Sequence, residues 1–412
     1  MEIKMNYHYS YFIYPYVVKE QKYSKYIQSL LKNTKCTLKI FEKKKNFSMY
    51  NYFLPTIREY MFRSFGFAES NTKALDSLST KLQANMLTDT PCTIFEYDMG
   101  QDTQAKIDSQ DSIFFKMQKI EIICFNTGIC FLAIKTNLED TEKFADLLDF
   151  NYKFRDINAE TGKNSGYNKI KIQDGVYSDV KKLADIIKEL TGNPVDSKKI
   201  DINTSRFLIY SYVCINEEHW NESQGFEYIK KEFYKFANVL DSNFNEDANN
   251  DRLKVVNIGE YSKMGITNSG VTLIASSINT SNYTNLPNNF EGEYFYTYVF
   301  ELYKKFYLSK LLEEFKNSKK AEVTKEKFLE FTNEIWIHEI TNNDDGILMH
   351  EDLAEVLELD NIYEKVKRQY DIAYKDYRVK NNEKLNKIIL ILLIISATAN
   401  VINFTILSKV LL

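Results

Sequence analysis

One stretch constrains this 412-residue chain more than any other. From Ile388 to Ser408, IILILLIISATANVINFTILS, it carries no charged side chain, in a protein that is 27% Asp, Glu, Lys and Arg. At about 1.5 Å of rise per residue, a helix of roughly 21 residues spans about 30 Å, the hydrocarbon thickness of a bilayer. The stretch is therefore expected to be a transmembrane helix. Arg378, Lys380, Lys384 and Lys387 precede it and only Lys409 follows, so the excess of positive charge places everything before Lys387 in the cytoplasm. The first residues, MEIKMNYHYSYFIYPYVV, are a short apolar patch broken by Pro15 and do not have the organisation of a secretory signal. The expectation is a single-pass protein of the bacterial inner membrane, tied at its C-terminus, with its bulk in the cytoplasm.

Ser396, Asn400 and Asn403 stand at i, i+4 and i+7 of this run, on one face of a helix. Side-chain amides have no partners in lipid, so this stripe should face another helix or a water-filled lumen. Two readings stay open, contacts that hold an oligomer together and the lining of a pore. In either case, with no second span in the sequence, the helix that meets the stripe comes from another copy or another protein.

Preceding this run is a chain with enough apolar and aromatic residues, 44% and 14%, to pack cores in two or three domains. The formal net charge of -4 argues against nucleic acid as a partner. Cys36, Cys92, Cys124, Cys130 and Cys214 are odd in number and show no C-x-x-C spacing, as expected of reduced, buried thiols.

Helical spacing appears in EQKYSKYIQSLLKN and in MYNYFLPTIREYMFRSFG, the latter stopping at Gly66, and CTIFEYDMG reads as a strand. The clearest local signal is KIEIICFNTGICFLAIKT, where two β-branched runs flank Asn126-Thr127-Gly128; this is a hairpin whose turn uses Gly128 at positive φ. A helix follows over NLEDTEKFADLLDF, capped by Asn137 or Asp140. After the polar loop NAETGKNSGYN come the strand KIKI, a helix, the strand SRFLIYSYVCI, a helix, the strands RLKVVNI and GVTLIAS, and a long helix from about Phe290 to Lys316. Such alternation predicts an α/β fold with a mixed sheet covered by helices. The expected divisions are an N-terminal α/β subdomain over 1–160, a second over 161–322, a helical stalk over 323–387 and the membrane helix over 388–408.

The stalk carries a seam. Val356, Leu359, Tyr363, Val366, Tyr370, Ala373 and Tyr377 follow one another in steps of 3 and 4, the heptad spacing of helix packed on helix, and a self-associating stalk is the expectation.

Catalytic and metal signatures are missing. His338-Glu339 and His350-Glu351 do not form H-E-x-x-H and read as surface residues at helix ends. TNNDDGILMHED places Thr341 where a calcium loop needs a carboxylate, so it reads as a turn. GITNSGVT has the glycine spacing of a phosphate loop but Val271 in place of the lysine. Gly265, Thr267, Asn268, Ser269 and Gly270 are kept as a candidate contact for a ligand's phosphate or ribose, against the alternative of an ordinary strand-entry turn. No metal site is expected, and the chain reads as a non-enzyme.

The order of parts, an α/β domain, a long stalk helix and a membrane helix entered through NNEKLNKIILILLIIS, resembles the CorA family of cation channels. The family's Gly-Met-Asn motif has no counterpart, since residues 388 to 412 contain no glycine. The chain is more similar to divergent CorA-like proteins that accompany anti-phage systems, including type III CRISPR loci. That resemblance implies a homo-oligomer, with a pentamer as the candidate copy number, whose cytoplasmic domain binds a nucleotide second messenger and whose span permeates the membrane. The alternatives are a divergent divalent-cation channel and a tail-anchored scaffold or enzyme.

Overall fold

The computed structural model describes residues 2–66, 77–100, 103–107, 113–155, 170–173, 180–192, 206–245, 253–317, 321–337 and 339–411. Side chains beyond Ala399 and a few others in the last helix, Tyr377 among them, lie outside the described set. The chain divides into two compact units, Met1–Tyr307 with Ile337–Asp360, and Leu308–Trp336 with Asn361–Leu412.

In the first unit, twelve strands among the described residues form one sheet: β1 (Met5–Val17), β2 (Cys36–Leu38), β3 (Cys92–Tyr97), β4 (Gln104–Ile107), β5 (Ile113–Phe125), β6 (Ile129–Leu138), β7 (Ile170–Gln173), β8 (Val180–Lys182), β9 (Leu208–Ile215), β10 (Lys254–Asn257), β11 (Ser262–Thr267) and β12 (Gly270–Ser276). Their order is β10-β11-β12-β9-β1-β6-β5-β4-β7-β8, with β3 also beside β5 and β2 beside β3. The β12–β9 pair is parallel and the others are antiparallel. Strands from both sides of residue 160 share this sheet, and the loop expected to divide them lies outside the described residues.

The predicted hairpin is β5–β6, with Gly128 at φ 84° in its turn. A Cβ there would come within 2.3 Å of the Val18 carbonyl oxygen, so the position needs glycine for space as well as for φ. By contrast, the N-terminal patch turns out to be the central strand. β1 pairs with β9 along Met5–Ile13 and with β6 along Ser10–Val17. Beyond Ile13 it has no β9 partner, which leaves Pro15 on a one-sided stretch, the setting in which a strand tolerates proline. The segment MYNYFLPTIREYMFRSFG is two short helices, Phe47–Tyr52 and Pro55–Met61, and a 3₁₀ turn. Pro55 forbids a through-helix but suits the first turn of the second one.

One face of the sheet packs on the helices Glu20–Lys32, Phe144–Phe154, Leu183–Thr191 and Lys230–Asn238, with Phe12 stacked on Phe154 at 3.8 Å. Neither expected cap serves Phe144–Phe154, whose N-cap position is Lys143. On the opposite face of β1 and β9, Tyr9 and Tyr210 donate hydrogen bonds to the carbonyls of Pro287 (2.8 Å) and Phe290 (2.5 Å). Tyr212 donates to that of Asn282. Buried tyrosines need such partners for their hydroxyls, and here they fasten the segment that leads into the helix Phe295–Phe315. Within that helix, Tyr303 stacks on Phe125 at 3.7 Å.

The second unit is helical. Its last helix, Leu359–Leu411, is continuous for 53 residues, and Tyr363 and Tyr370 both meet the Phe328 ring at 5.5 Å while Trp336 stacks on Tyr363 at 4.4 Å. The central part of the heptad seam thus has its partner within the same chain.

The expectation of a transmembrane helix over 388–408 is corrected here: among the described residues no helix is long and apolar enough to cross a membrane. Within the described side chains the uncharged part runs from Ile388 to Ala399, about 18 Å of helix against the roughly 30 Å required. Extending it to spanning length toward the N-terminus takes in Glu383, Lys384 and Lys387. The single-pass inner-membrane placement rested on that span and falls with it.

Candidate functional site

A cluster of charged side chains in the first unit meets on the tyrosine-bearing face of the sheet, in ladder rows that only the strand register reveals. Lys119 of β5 pairs with Lys135 of β6, which pairs with Tyr11 of β1. Like charges directly opposite each other oppose pairing. Glu291, in the π-helical turn Phe290–Tyr294, reconciles them: its carboxylate meets Lys119 at 2.8 Å and Lys135 at 2.5 Å and accepts from the Tyr11 hydroxyl at 2.7 Å. π turns are rare and often lie at functional sites. Two residue pairs further, and next on the same face, the buried Glu121 takes Lys39 (2.7 Å), Lys119 (3.0 Å) and the Tyr296 hydroxyl (2.8 Å). Burial pushes the carboxyls of Glu121 and Glu291 up, but the neighbouring ammoniums outweigh it and hold both at about 2. For Lys135 burial prevails and lowers its pKa. The cluster is satisfied internally, an electrostatic clamp between sheet and cover.

Further along the same face is the wing formed by β5, β4, β7 and β8. Phe114 pairs with Lys106, Lys106 with Lys171, and Lys171 with Lys182. The next row is Lys116, Gln104, Gln173 and Val180, and Lys116 is drawn to Glu139 at 2.7 Å. The inner side of these strands, Ala105, Ile107, Ile170 and Ile172, is buried in the core, while Phe114 is 58% and Val180 62% exposed. A cavity of about 300 Å³ lies over Gln104, Lys106, Phe114, Lys171, Gln173 and Val180.

The candidate ligand segment of the sequence is the β11–β12 hairpin. Asn268 and Ser269 form its turn, Thr267 donates to the Ala237 carbonyl at 3.1 Å, and the Ser269 amide donates to Thr267 at 3.2 Å. Gly265 lies where a Cβ would approach that of Ala237 to 2.7 Å, and Gly270 where it would meet the Ile209 oxygen at 1.8 Å. Packing accounts for both glycines.

Val356 is buried at the end of the preceding helix, Asp344–Val356; in the last helix Leu359 and Val366 are buried, Tyr363, Tyr370 and Ala373 half-buried, and Ser396 exposed. The side chains of Tyr377, Asn400 and Asn403 lie outside the described residues. Each side chain from Ile388 to Ile395 is between 45% and 61% exposed. His350, expected at the surface, is buried, with Nδ1 3.0 Å from Glu301, which Lys304 also meets at 2.8 Å; His338 lies outside the described residues. Among the described residues no group of three His, Cys, Asp or Glu side chains is placed to hold a metal.

The sequence does carry one trace of the wing, the alternation of Lys and Ile in KIKI. It marks a strand with one polar face, but which lysines stand side by side depends on strands distant in sequence. Searches for a matching family model, curated protein or solved structure found none.

Proposed function

We propose that the protein is a homo-oligomeric, ligand-responsive effector that binds rather than catalyses: its α/β unit takes up a small anionic ligand of nucleotide type, and its C-terminal helix joins the copies. The observation that carries this reading is the run Ile388–Ile395, eight consecutive large apolar side chains left exposed around a continuous helix. Fully burying such a side chain from full exposure is worth about 1.5–3 kcal/mol; these are about half exposed, so covering four of them contributes about 3–7 kcal/mol toward an assembly. A helix apolar on all sides belongs in an interior. The seam does not supply the contact, because Tyr363 and Tyr370 are already engaged by Phe328.

Sedimentation velocity on the full chain tests this. Assemblies are expected at micromolar concentration, and Ile391→Asp with Ile394→Asp should shift them to monomer while the far-ultraviolet circular dichroism of the α/β unit is kept. A wild-type chain that sediments as a monomer at all concentrations overturns the reading.

A further inference from the structure

We infer that Cys124 and Cys130 form a redox-reactive pair, in which a small hydroperoxide converts two buried thiols into a disulfide across the tip of the β5–β6 hairpin and a dithiol reverses it. The two residues stand directly opposite each other in the ladder, and the neighbouring strand fixes the kind of pair they make. The Val18 amide donates to the Gly128 carbonyl at 2.8 Å; two residues on, the backbone of Cys130 points the same way, toward its β1 partner Tyr16. Cys130 therefore makes no backbone hydrogen bond with Cys124. Such a non-hydrogen-bonded antiparallel pair brings its Cα atoms to about 4.5 Å and its side chains together, inside the range of about 4.4–6.8 Å that a disulfide needs. Both thiols are free and fully buried, and they lie within hydrogen-bonding reach of each other.

A second observation points at the same sulfurs. Tyr23 of the helix Glu20–Lys32 is 1% exposed, and its hydroxyl has no hydrogen-bond partner among the described residues. A buried polar atom left in this way calls for a reason, and redox chemistry is one. Burial apart, the groups that act most on this hydroxyl are Cys124 and then Cys130, and a thiolate accepts strongly the hydrogen bond that a neutral thiol accepts weakly. Access comes from the β3 side. Thr93, the ladder partner of Cys124, lines a cavity of about 40 Å³ that extends to the exposed Arg63, room for a molecule little larger than water. Hydrogen peroxide fits it and glutathione does not. Cys124 loses its proton and its sulfur attacks the peroxide; the O–O bond breaks, one oxygen stays on the sulfur as a sulfenic acid, and the other leaves as water. The Cys130 sulfur then displaces that oxygen as a second water and closes the S–S bond, so two thiols are oxidised as one peroxide is reduced. Burial pushes the Cys124 thiol up, which keeps thiolate scarce and makes the pair answer to sustained oxidant, at a rate that rises with pH.

Peptide mass mapping of the folded full chain after treatment with hydrogen peroxide at mildly alkaline pH tests the pair. Trypsin releases both cysteines in one peptide, residues 120–135, which contains no other cysteine. That peptide is expected to lose two hydrogens on oxidation and to regain them with dithiothreitol. Cys130→Ala removes the resolving thiol, so oxidation should stop at a sulfenic acid on Cys124, trapped when the chain is unfolded in dimedone. Tyr23→Phe deletes an unpaired hydroxyl and should not lower the thermal midpoint, yet it should slow disulfide formation about tenfold, the loss of one hydrogen bond to a charged group. A purely structural tyrosine would leave that rate alone. The assignment is overturned by a peptide that keeps its two hydrogens while the exposed Met86 becomes oxidised, by a bond from Cys124 to Cys36, Cys92 or Cys214 in place of Cys130, or by equal rates in wild type and Tyr23→Phe.

Discussion

Glu291 shows how one side chain can make an otherwise repulsive ladder row tolerable. Lys119 and Lys135 face each other across β5 and β6, and the carboxylate between them converts mutual repulsion into two attractive contacts. Removing it leaves two partly buried ammoniums together, a loss that for fully buried pairs reaches about 3–5 kcal/mol. Glu291 is about a quarter exposed, so Glu291→Gln is expected to cost about 2–3 kcal/mol by urea unfolding. Adding Lys135→Met to that variant should recover part of the loss, which a role for Glu291 in backbone geometry alone would not allow. The pH profile supplies a second readout. The folded-state pKa of Glu291, about 2, lies below the ordinary 4.5, so its contribution is complete above pH 4.5 and disappears as pH falls toward 2. Wild-type stability should decline through that window, and the Glu291→Gln chain should decline less steeply, with Glu121 and Glu301, whose carboxyls are also held low, contributing to the remaining slope.

Among elements, legibility in the sequence followed the range of the interactions that fix them. The β5–β6 hairpin declares itself because its signals, alternation and a glycine turn, are local. The long helix from Phe290 was legible as a helix, but not its placement: Tyr303 faces the sheet while Glu301 meets His350 on another side. A helix buried all round has no single apolar stripe to read. The lysine rows were invisible for a related reason, since each exists only once distant strands have chosen their register. The β11–β12 hairpin is an intermediate case, in which GITNSGVT suggested a ligand loop while its glycines answer to packing. Gly270, at φ 150° and with the Ile209 oxygen where a Cβ would be, offers a direct check of that account. Gly270→Ala is expected to destabilise the first unit by about 3 kcal/mol or more, read as a lowered thermal midpoint. If the residue served a ligand and not the fold, the substitution would leave the midpoint in place.

At the scale of the whole molecule, the division into two units makes separate unfolding transitions the appropriate expectation, and a single two-state treatment inappropriate. The two proposals then act on different transitions. Self-association through Ile388–Ile395 stabilises the helical unit by mass action, adding up to about 1.4 kcal/mol per association step for each tenfold rise in chain concentration. The anionic ligand proposed for the α/β unit would stabilise the sheet unit by an amount set by its concentration relative to Kd, about 2.7 kcal/mol at a hundredfold excess. Differential scanning calorimetry of the full chain at several protein and ATP concentrations should accordingly show one transition that moves with protein and another that moves with ATP. Responsiveness demands more than this, because a ligand shifts an assembly only when it binds the assembled and separated chains unequally. Saturating ATP should therefore also change the protein-concentration dependence of the helical transition. Were each transition to answer strictly to its own variable, the molecule would be an anion-binding domain and an assembly helix in one chain without communication between them, and the ligand-responsive reading would be wrong even with both sites real.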